Sequence, residues 1–449
     1  MVKLPNNITY LFLLIAFYFI SCQKDKPILP NIILIIGDDH GYPYFGFMGA
    51  DYVKTPNMDK LASSGTVFTN GYVPDNHCRP SLATLITGIL PIDYNTKVEK
   101  MVSDRKILDN LPKREFRHHA MKYFLTLPKL LKQHNYTSFQ SGKWWEFHYE
   151  NGGFDHGMTT GWTTEDRKNN GWFKKFMGGE GLKLARATME PVYDFIDKNK
   201  DSPFFIWYAP ELPHYPFDAP DKYYNIYKDK EMSESAKRYY ANCTWFDDGV
   251  GELQRYLKEV GEFENTLFIY VNDNGWEQNP EQEFWNDPMR SHNGGDKGKL
   301  SFYDQSFRTP IIFSWENRIE KNNQLKQMMH SADIPATILD YLDIDVPEDY
   351  FGRSFKPLID GENFTERNEI IGNITTVRSF DDMMGTPTEG YYIRDKNWFL
   401  KWNITKDHIQ LFDMKTDQNN DYDLSEVEPE IVKSMSEKIE KWKNERMLY

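Results

Sequence analysis

Two pairs of oxygen-bearing side chains stand directly after two strongly apolar runs of the sequence. Asp38 and Asp39 form the first pair, and Asp273 and Asn274 form the second. Carboxylate and amide oxygens are the ligands that calcium and magnesium prefer, and the lack of Cys and His in both pairs disfavours zinc. A single pair after a strand is typical of a turn or a helix cap. Two pairs after separate strands instead favour a divalent metal site.

A cysteine, Cys78, stands just before a short predicted helix that begins with Pro80 and is closed by Gly88. Pro80 is accepted in the first turn because its missing N–H would be unpaired there, and Gly88 suits the left-handed residue after the last turn. Cys78 therefore lies at the mouth of the helix, where an anion would meet free backbone N–H groups and the positive end of the helix dipole. Three cysteines exclude a disulfide framework, and Cys243 is predicted to be a buried apolar residue.

Four apolar runs that are typical of strands buried on both faces deliver polar side chains at their carboxyl ends. They are residues 31–36, 136–141, 204–209 and 266–271. Helical patterns lie between these runs, at residues 57–64, 127–133, 184–198 and 233–260. This alternation predicts an α/β fold with a large, mostly parallel sheet flanked by helices. Because ligands bind outside the carboxyl ends of such strands, we expect the polar side chains to converge on one crevice with Cys78.

The C-terminal part of the chain has a different pattern. Short strands are predicted at residues 391–394, 398–402 and 409–412, followed by a helix at residues 426–446. Consecutive strands and a closing helix predict a small antiparallel sheet packed by one helix. We therefore predict a main catalytic domain at residues 31–365 and a C-terminal subdomain at residues 366–449.

The first 30 residues have the composition of a targeting segment. An apolar run at residues 8–20 is too short to span a bilayer, and residues 1–21 are predicted to be a signal peptide. Residues 19–22 resemble the lipobox of bacterial lipoproteins, in which Cys22 would be lipidated, and the alternative is an ordinary cleaved signal. We expect an exported protein of the periplasm or outer membrane, bound to the membrane by a lipid on Cys22 alone, with residues 22–30 as a tether.

The composition of the 449-residue chain is that of a globular protein. Hydrophobic residues make up 40% and aromatic residues 15%, which is too rich for disorder. The formal net charge of −14 argues against a nucleic-acid-binding protein, because phosphate contacts need clustered Lys and Arg. An anionic substrate must therefore be held by local cationic side chains or by a metal.

The residues around Cys78 resemble the signature of the formylglycine-dependent sulfatases, a family of the alkaline-phosphatase-like superfamily. The matching residues are Cys78, Arg79, Pro80, Ser81, Ala83, Thr84, Leu85, Thr87 and Gly88. Further matches lie at residues 55–62, 142–144, 298–299, 303–304, 308–310, 333–337, 352–354 and 411–413. The resemblance therefore runs over nearly all of the exported chain.

The resemblance implies a site built on Cys78, which a maturation enzyme oxidises to formylglycine (3-oxoalanine) in this family. It implies one Ca²⁺ ion, held by Asp38, Asp39, Asp273, Asn274 and the modified Cys78. It also implies a sulfate group surrounded by Lys143, His214 and Lys299. In the implied reaction, one hydroxyl of the hydrated aldehyde attacks sulfur and His214 or Lys299 protonates the leaving oxygen. The second hydroxyl then allows sulfate to be expelled. The expected substrate is a sulfated carbohydrate, such as a marine algal polysaccharide or its oligosaccharides.

The chain departs from the family pattern at two positions near the expected site. Leu82 stands where arginine is usual, and Trp145 stands where histidine is common, so that we expect His148 or His40 to replace that histidine. The aromatic stretch at residues 144–149 is either a platform for sugar rings or part of the core. Two other functions stay open: hydrolysis of a phosphodiester or phosphonate on the same fold, and carbohydrate binding by a chain whose cysteine is not oxidised.

Overall fold

The computed structural model describes residues 29–104, 113–163, 165–166, 172–276, 297–377 and 387–446. The predicted signal peptide, Cys22 and most of the predicted tether lie outside these ranges. None of the helices within the ranges is both long and apolar enough to span a membrane.

The strands and helices are numbered here in chain order. The strands are β1 (Asn31–Gly37), β2 (Thr66–Tyr72), β3 (Thr137–Gly142), β4 (His156–Gly157), β5 (Phe204–Ala209), β6 (Thr266–Asn272), β7 (Arg308–Ser314), β8 (Asn323–Leu325), β9 (Met329–His330), β10 (Glu369–Thr375), β11 (Thr388–Asp395), β12 (Trp398–Asn403) and β13 (His408–Asp413). The helices are α1 (Pro56–Ser63), α2 (Cys78–Thr87), α3 (Pro91–Ser103), α4 (Lys113–His119), α5 (Leu127–Lys132), α6 (Trp172–Met177), α7 (Glu190–Asn199), α8 (Asp221–Tyr224), α9 (Glu234–Glu259), α10 (Asp333–Tyr341), α11 (Lys356–Ile359) and α12 (Pro429–Arg446).

The main sheet has nine strands, in the order β4-β3-β5-β1-β6-β7-β2-β8, with β9 also beside β2. Its strands run parallel except at β7, which is antiparallel to both β6 and β2. This confirms the predicted α/β fold with a mostly parallel sheet, and it confirms all four predicted strands. The register pairs Gly37 with Asn272, so that the carboxyl ends of β1 and β6 lie side by side.

The central strand β1 is buried on both of its faces. Ile32 and Leu34 pack into the apolar cluster on one side of the sheet, and Ile33 and Ile35 pack into the cluster on the other side. Successive side chains of a strand point to opposite faces, so a strand covered by helices on both sides is apolar at every position. This explains the unbroken apolar run that predicted β1.

Three predicted helices are confirmed within one or two residues as α1, α5 and α9, and Ser233 caps α9 by accepting a bond from Ala236 N at 3.1 Å. The helix predicted at 184–198 is wrong at its start, because α7 begins only at Glu190. Ala185 has a left-handed backbone with φ of 58°, which no α-helix contains. Pro191 then stands in the first turn of α7, where proline is favoured.

The C-terminal strands form a separate antiparallel sheet in the order β10-β11-β12-β13. Helix α12 packs on it through Met435 and Ile439, which contact an apolar cluster that includes Ile393 and Leu400. The predicted small antiparallel sheet with one helix is therefore confirmed. The division of the chain at residue 365 stays a prediction.

Candidate active site

Two carboxylates and an amide meet where β1 and β6 end. The backbone N–H of Asp39 donates to Asp273 Oδ1 at 3.0 Å, and Asn274 Nδ2 donates to Asp39 Oδ1 at 2.7 Å. Asp39 has a left-handed backbone with φ of 60°, which is a costly conformation for a residue with a Cβ. The strained turn directs Asp38 and Asp39 into the same crevice as the pair after β6.

Two lysines reach this carboxylate cluster from other elements. Lys143 follows β3, and its Nζ pairs with Asp38 Oδ1 and lies 3.7 Å from Asp273 Oδ2. The turn before it requires glycine, because Gly142 has φ of 84° and a Cβ there would lie 1.9 Å from the carbonyl oxygen of Ala209. Lys299 Nζ binds Asp39 Oδ2 at 2.8 Å. The lysines therefore neutralise part of the negative charge.

The charges of the cluster shift its pKa values in opposite directions. Burial by itself would raise the pKa of Asp39, but the charges of Lys299, His214 and Lys143 outweigh it and hold that pKa below its ordinary value. Burial and the neighbouring charge of Asp38 raise the pKa of Asp273 well above its ordinary range. Burial would lower the pKa of Lys143, yet the charge of Asp38 and its neighbours raises it. Three carboxylates thus share two lysines, and the carboxylate of Asp273 is the one whose negative charge is least compensated.

Several oxygens of the cluster have no hydrogen-bond partner among the described residues. They are Asp38 Oδ2, Asp273 Oδ2 and Asn274 Oδ1, and all three are buried. Ligand atoms of Asp38, Asp39 and His214 also lie within 4.8 Å of one another. Buried polar atoms without partners are costly, and a bound cation is one way to satisfy oxygens of this kind. An oxygen-rich set of this kind fits a hard divalent cation such as calcium.

Cys78 occupies the first position of α2, so the helix begins two residues before Pro80, its predicted start. His77 is the extended N-cap residue and Gly88 the left-handed C-cap residue, with φ of 67°. The thiol is 1% exposed, and burial raises its pKa to about 11, against the opposing charges of Lys143 and Lys299. A thiol with such a pKa is a weak nucleophile at neutral pH. In its unmodified form Cys78 is therefore unsuited to direct attack.

His214 reaches the cluster from the loop after β5. Its Nε2 lies 3.6 Å from Asp39 Oδ2, and its Nδ1 lies 2.5 Å from the carbonyl oxygen of Tyr215. The structure therefore brings together all eight predicted residues of the site. They are Asp38, Asp39, Cys78, Lys143, His214, Asp273, Asn274 and Lys299.

Neither candidate for the replacement of the family histidine has a side-chain contact with the site residues among the described contacts. His40 is fully buried, stacks on Phe45 at 3.8 Å between ring centroids and bonds the carbonyl oxygen of Tyr44. Burial lowers the pKa of His40 to about 3, so it is a neutral core residue. A quarter of the His148 side chain is exposed, and its ring is tilted against that of Tyr149 at 4.5 Å between centroids.

Besides His214, a second imidazole lies near the charged residues of the site: it belongs to His77, which the sequence analysis did not select. It is 3% exposed, and its ring contacts Trp145 edge to face at 6.0 Å between centroids. The Trp145 ring in turn lies 5.4 Å from Lys143 Nζ. Burial and the charges of Lys299 and Lys143 lower the pKa of His77, so the ring is neutral. Its position directly before Cys78 was the only signal in the sequence.

The tryptophans of residues 144–149 belong to the core. Trp144 is 1% exposed and packs edge to face on Trp207, and Trp145 is 4% exposed. Tyr215, which directly follows His214 in the sequence, is by contrast 56% exposed. Its ring is accessible to a sugar, whereas the rings of the two tryptophans are not.

The site combines a buried cysteine at a helix mouth, a set of oxygen ligands that fits a cation, and two lysines. These features are those of ester hydrolases that act on tetrahedral oxyanions. The sulfatase family model matches residues 30–344, and a model of the C-terminal part of N-sulphoglucosamine sulphohydrolase matches residues 295–445. The chain therefore belongs to the sulfatase family and is a sulfuric ester hydrolase.

The chain is also similar to individual members of known activity. It is 25% identical to an arylsulfatase of Clostridium perfringens, over 86% of this chain and 88% of that one. It is 23% identical to an N-acetylglucosamine-6-O-sulfatase of Bacteroides thetaiotaomicron, over 80% and 76% of the two chains. Among solved structures, Ps i-CgsB in complex with k-i-k-neocarrahexaose has a TM-score of 0.71 and 25% identity, over 92% of this chain and 93% of that chain.

Proposed function

We propose that the enzyme removes sulfate from a sulfated carbohydrate and that Cys78 acts after oxidation to formylglycine. The observation that carries this proposal is the position of Cys78 on the first turn of α2, within the electrostatic reach of Lys143, Lys299, Asp38 and Asp273. A maturation enzyme of the exporting host is the required partner. When present, the aldehyde supplies, as its hydrate, a hydroxyl nucleophile in place of a protonated thiol.

The proposed cation is calcium, and the unpartnered oxygens of Asp38, Asp273 and Asn274 support it. Together with Asp39 and the modified Cys78, these residues would hold the ion. When bound, calcium offsets negative charge on the sulfate oxygens and on the nucleophile. The oxygen-only chemistry of the strand-end donors favours calcium over softer metals.

The chain's own cations and donors then act on the ester. The ammonium groups of Lys143 and Lys299 lower the repulsion between sulfate oxygens and an incoming nucleophile, and the positive end of the α2 dipole adds to this field. His214 Nε2, at the mouth of the carboxylate cluster, donates a proton to the departing oxygen. Lys299 is the alternative donor, since its Nζ binds the same Asp39 carboxylate.

A carbohydrate substrate is supported by the names of the relatives and by the rim of the site. The Bacteroides relative acts on N-acetylglucosamine-6-O-sulfate, and Ps i-CgsB was solved with a neocarrahexaose. Tyr215 offers an exposed aromatic face beside His214, and sugar rings pack on such faces. We further propose a marine algal polysaccharide, or its oligosaccharides, as the source of substrate. We also propose export to the periplasm or outer membrane with a lipid anchor on Cys22.

Sulfate release by the protein from its native host tests the proposal. We expect sulfate to be released from a sulfated oligosaccharide by the wild type and not by Cys78→Ala. Cys243→Ala is the matched control, because it removes the other buried cysteine, in α9, and should retain activity. Equal activity of Cys78→Ala and the wild type would overturn the proposal. Matched aryl phosphodiesters and phosphonates, assayed in parallel, would reveal a phosphoryl substrate instead. Saccharide binding without any hydrolysis would indicate a carbohydrate-binding protein.

A further inference from the structure

The loop that carries His214 has few backbone donors of its own. This loop, residues 210–218, is called the His214 loop and contains three prolines, none of which has a backbone N–H. Its carbonyls therefore need donors from outside, because buried carbonyls without partners are costly. One such donor is the backbone N–H of Asp38, which binds the Leu212 carbonyl oxygen at 3.0 Å. This bond ties one side of the loop to the end of β1.

Asn242 binds the opposite side of the His214 loop. It lies within α9 and is fully buried. Its Nδ2 donates to the carbonyl oxygens of Pro213 at 3.2 Å, His214 at 3.3 Å and Pro216 at 3.0 Å. Its Oδ1 accepts a bond from Ala219 N at 3.1 Å. One amide side chain thus satisfies the loop's carbonyls on both sides of His214.

Arg186 binds two of these carbonyls, those of His214 and Pro216, and the carbonyl of Glu211 as well. Its Nε donates to the Glu211 carbonyl oxygen at 2.8 Å, and its Nη2 donates to the carbonyl oxygens of His214 at 2.8 Å and Pro216 at 3.3 Å. Its Nη1 pairs with Asp218. The side chain is only 10% exposed, so these bonds form largely out of water and are stronger for it. A planar guanidinium suits this task because its donors have a fixed geometry.

We propose that Arg186 and Asn242 are positioning residues that fix the orientation of His214 for proton donation to the leaving oxygen. The inference rests on the proposed function, because it assumes that His214 is the donor. Both side chains bind the carbonyl of His214 itself, and neither lies among the groups that would contact the ester. Two donors on one carbonyl hold the backbone of His214 in place, and with it the direction of the ring. A misplacement of about 1 Å at such a group costs about 100-fold in rate.

Kinetics with two aryl sulfates test this role. A substrate with a poor leaving group needs protonation of the departing oxygen, whereas one with a good leaving group departs without it. We expect Asn242→Ala to lower kcat by about 10- to 100-fold on the poor leaving group, and far less on the good one. We also expect Asn242→Ala to add almost nothing to His214→Ala in the double variant, because both would remove the same step.

The conservative and control variants separate positioning from general destabilisation. Arg186→Lys keeps the charge but loses the forked donors, and it should lose less activity than Arg186→Ala with the same dependence on leaving group. Asn31→Ala removes another buried asparagine, at the amino end of β1, and should leave kcat unchanged. Arg318→Ala, which removes an exposed arginine stacked on Trp315, should also leave it unchanged.

Equal losses on both substrates, or full additivity with His214→Ala, would overturn the positioning role. If Asn242→Ala does not fold, Arg186→Lys carries the same test. A wild type without sulfatase activity would contradict the proposed function but would not test whether Arg186 and Asn242 hold the His214 loop. In that case, the rate at which diethyl pyrocarbonate modifies His214 tests it. This rate should rise in both Arg186→Ala and Asn242→Ala. An unchanged rate would mean that these side chains do not hold the loop.

Discussion

Leu82 stands one helical turn after Cys78, yet it takes no part in the charged site. It is 4% exposed and packs in the apolar cluster on one face of the sheet, together with Leu85 and Ile86. Arg79, the arginine nearest in sequence, is paired with Glu146: its Nη2 donates to Glu146 Oε2 at 3.0 Å, and its Nε lies 3.0 Å from Glu146 Oε1. At the residue scale, position 82 therefore belongs to the apolar core, whereas the carboxylates and lysines form the charged site.

Replacing Leu82 with the family arginine should therefore harm this chain. Leu82→Arg would place an unpaired charge in an apolar cluster, and we expect it to lower the free energy of unfolding by about 3–5 kcal/mol. Urea denaturation measures this. Leu82→Met conserves volume and should cost less than about 1.5 kcal/mol. A Leu82→Arg variant as stable as the wild type, with more aldehyde at Cys78, would contradict this prediction.

The C-terminal sheet contacts the segment that leads into Cys78. Thr375, at the end of β10, donates through its hydroxyl to Asp75 Oδ2 at 2.7 Å, and its N–H binds Asn76 Oδ1 at 2.9 Å. Tyr392 of β11 donates to the Val73 carbonyl oxygen at 2.6 Å. Burial raises the pKa of Asp75 to about 8. A buried carboxyl group is costly unless it is hydrogen-bonded, so the bonds to Asp75 contribute to the stability of the fold. At the element scale, the small sheet is part of the support of the active site.

Thr375→Val should reveal this support. Valine keeps the shape but removes the hydroxyl donor, which leaves Asp75 Oδ2 buried without that bond. We expect the free energy of unfolding to fall by about 1–3 kcal/mol. Turnover should also fall, since Asp75 binds the N–H of His77, the residue before Cys78. The control is Thr96→Val, whose hydroxyl bonds a carbonyl of its own helix, α3. Equal effects of the two substitutions would count against the support role.

The elements that the sequence predicted are those with a simple pattern. The ends of β1 and β6 were predictable because an unbroken apolar run followed by polar residues is typical of a buried strand and the turn after it. Strand β7 was not predicted, because it lies between β6 and β2 and contains Pro310, which cannot donate to a neighbouring strand. The register of β2 shifts between Phe68 and Gly71, opposite this proline. This register shift depends on the pairing of β2 with β7, two strands that are far apart in sequence. No local sequence pattern contains information on that pairing.

The same limit applies to the active site. The eight predicted residues follow strand ends or stand in motifs, and the structure gathers them. Arg186, Asn242 and the contact between His77 and Trp145 depend on tertiary packing between elements that are distant in sequence. Local sequence patterns do not contain these contacts, so the supporting residues of the site were missed while its charged residues were found.

At the scale of the whole molecule, the charge of the enzyme opposes its proposed substrate. The formal net charge is −14, whereas a sulfated oligosaccharide is a polyanion. Long-range repulsion between them is screened by salt, with a Debye length of about 30 Å at 0.01 M and about 8 Å at 0.15 M. The local cations of the site act only at short range.

We therefore expect the KM for a multiply sulfated oligosaccharide to fall as NaCl rises between about 0.01 M and about 0.15 M. The KM for a small aryl monosulfate should change much less, because it carries one charge. Steady-state kinetics with both substrates at constant calcium measure this. A KM for the oligosaccharide that rises with salt would mean that a basic surface, and not the site alone, attracts the substrate.

The stability of the whole chain should depend on pH through His330. This ring is fully buried, and its Nδ1 accepts a bond from Ala332 N at 2.9 Å. Burial, with the charges of Arg367 and Arg446, lowers the pKa of His330 well below its ordinary value of about 6.5. Below about pH 6.5, the imidazole of His330 binds a proton in the unfolded chain but not in the folded chain. The stabilisation is therefore complete above about pH 6.5 and is lost as the pH falls.

Unfolding free energies measured from about pH 7 to about pH 5 should fall by up to about 1.4 kcal/mol per pH unit on account of this group. His330→Asn should reduce the slope of the unfolding free energy against pH by that amount. His156→Asn, which changes an exposed histidine on β4, should leave this slope unchanged. If His330→Asn has the same pH slope as the wild type, the ring is not held neutral by the fold.

The chemical state of Cys78 is the point on which the whole account depends. An aldehyde-reactive probe, applied to protein from the native host and followed by peptide mass spectrometry, measures it directly. We predict that the peptide containing Cys78 is labelled in the wild type and in Cys243→Ala. A Cys78 peptide recovered only as the unmodified thiol, in protein that nevertheless releases sulfate, would contradict the formylglycine mechanism.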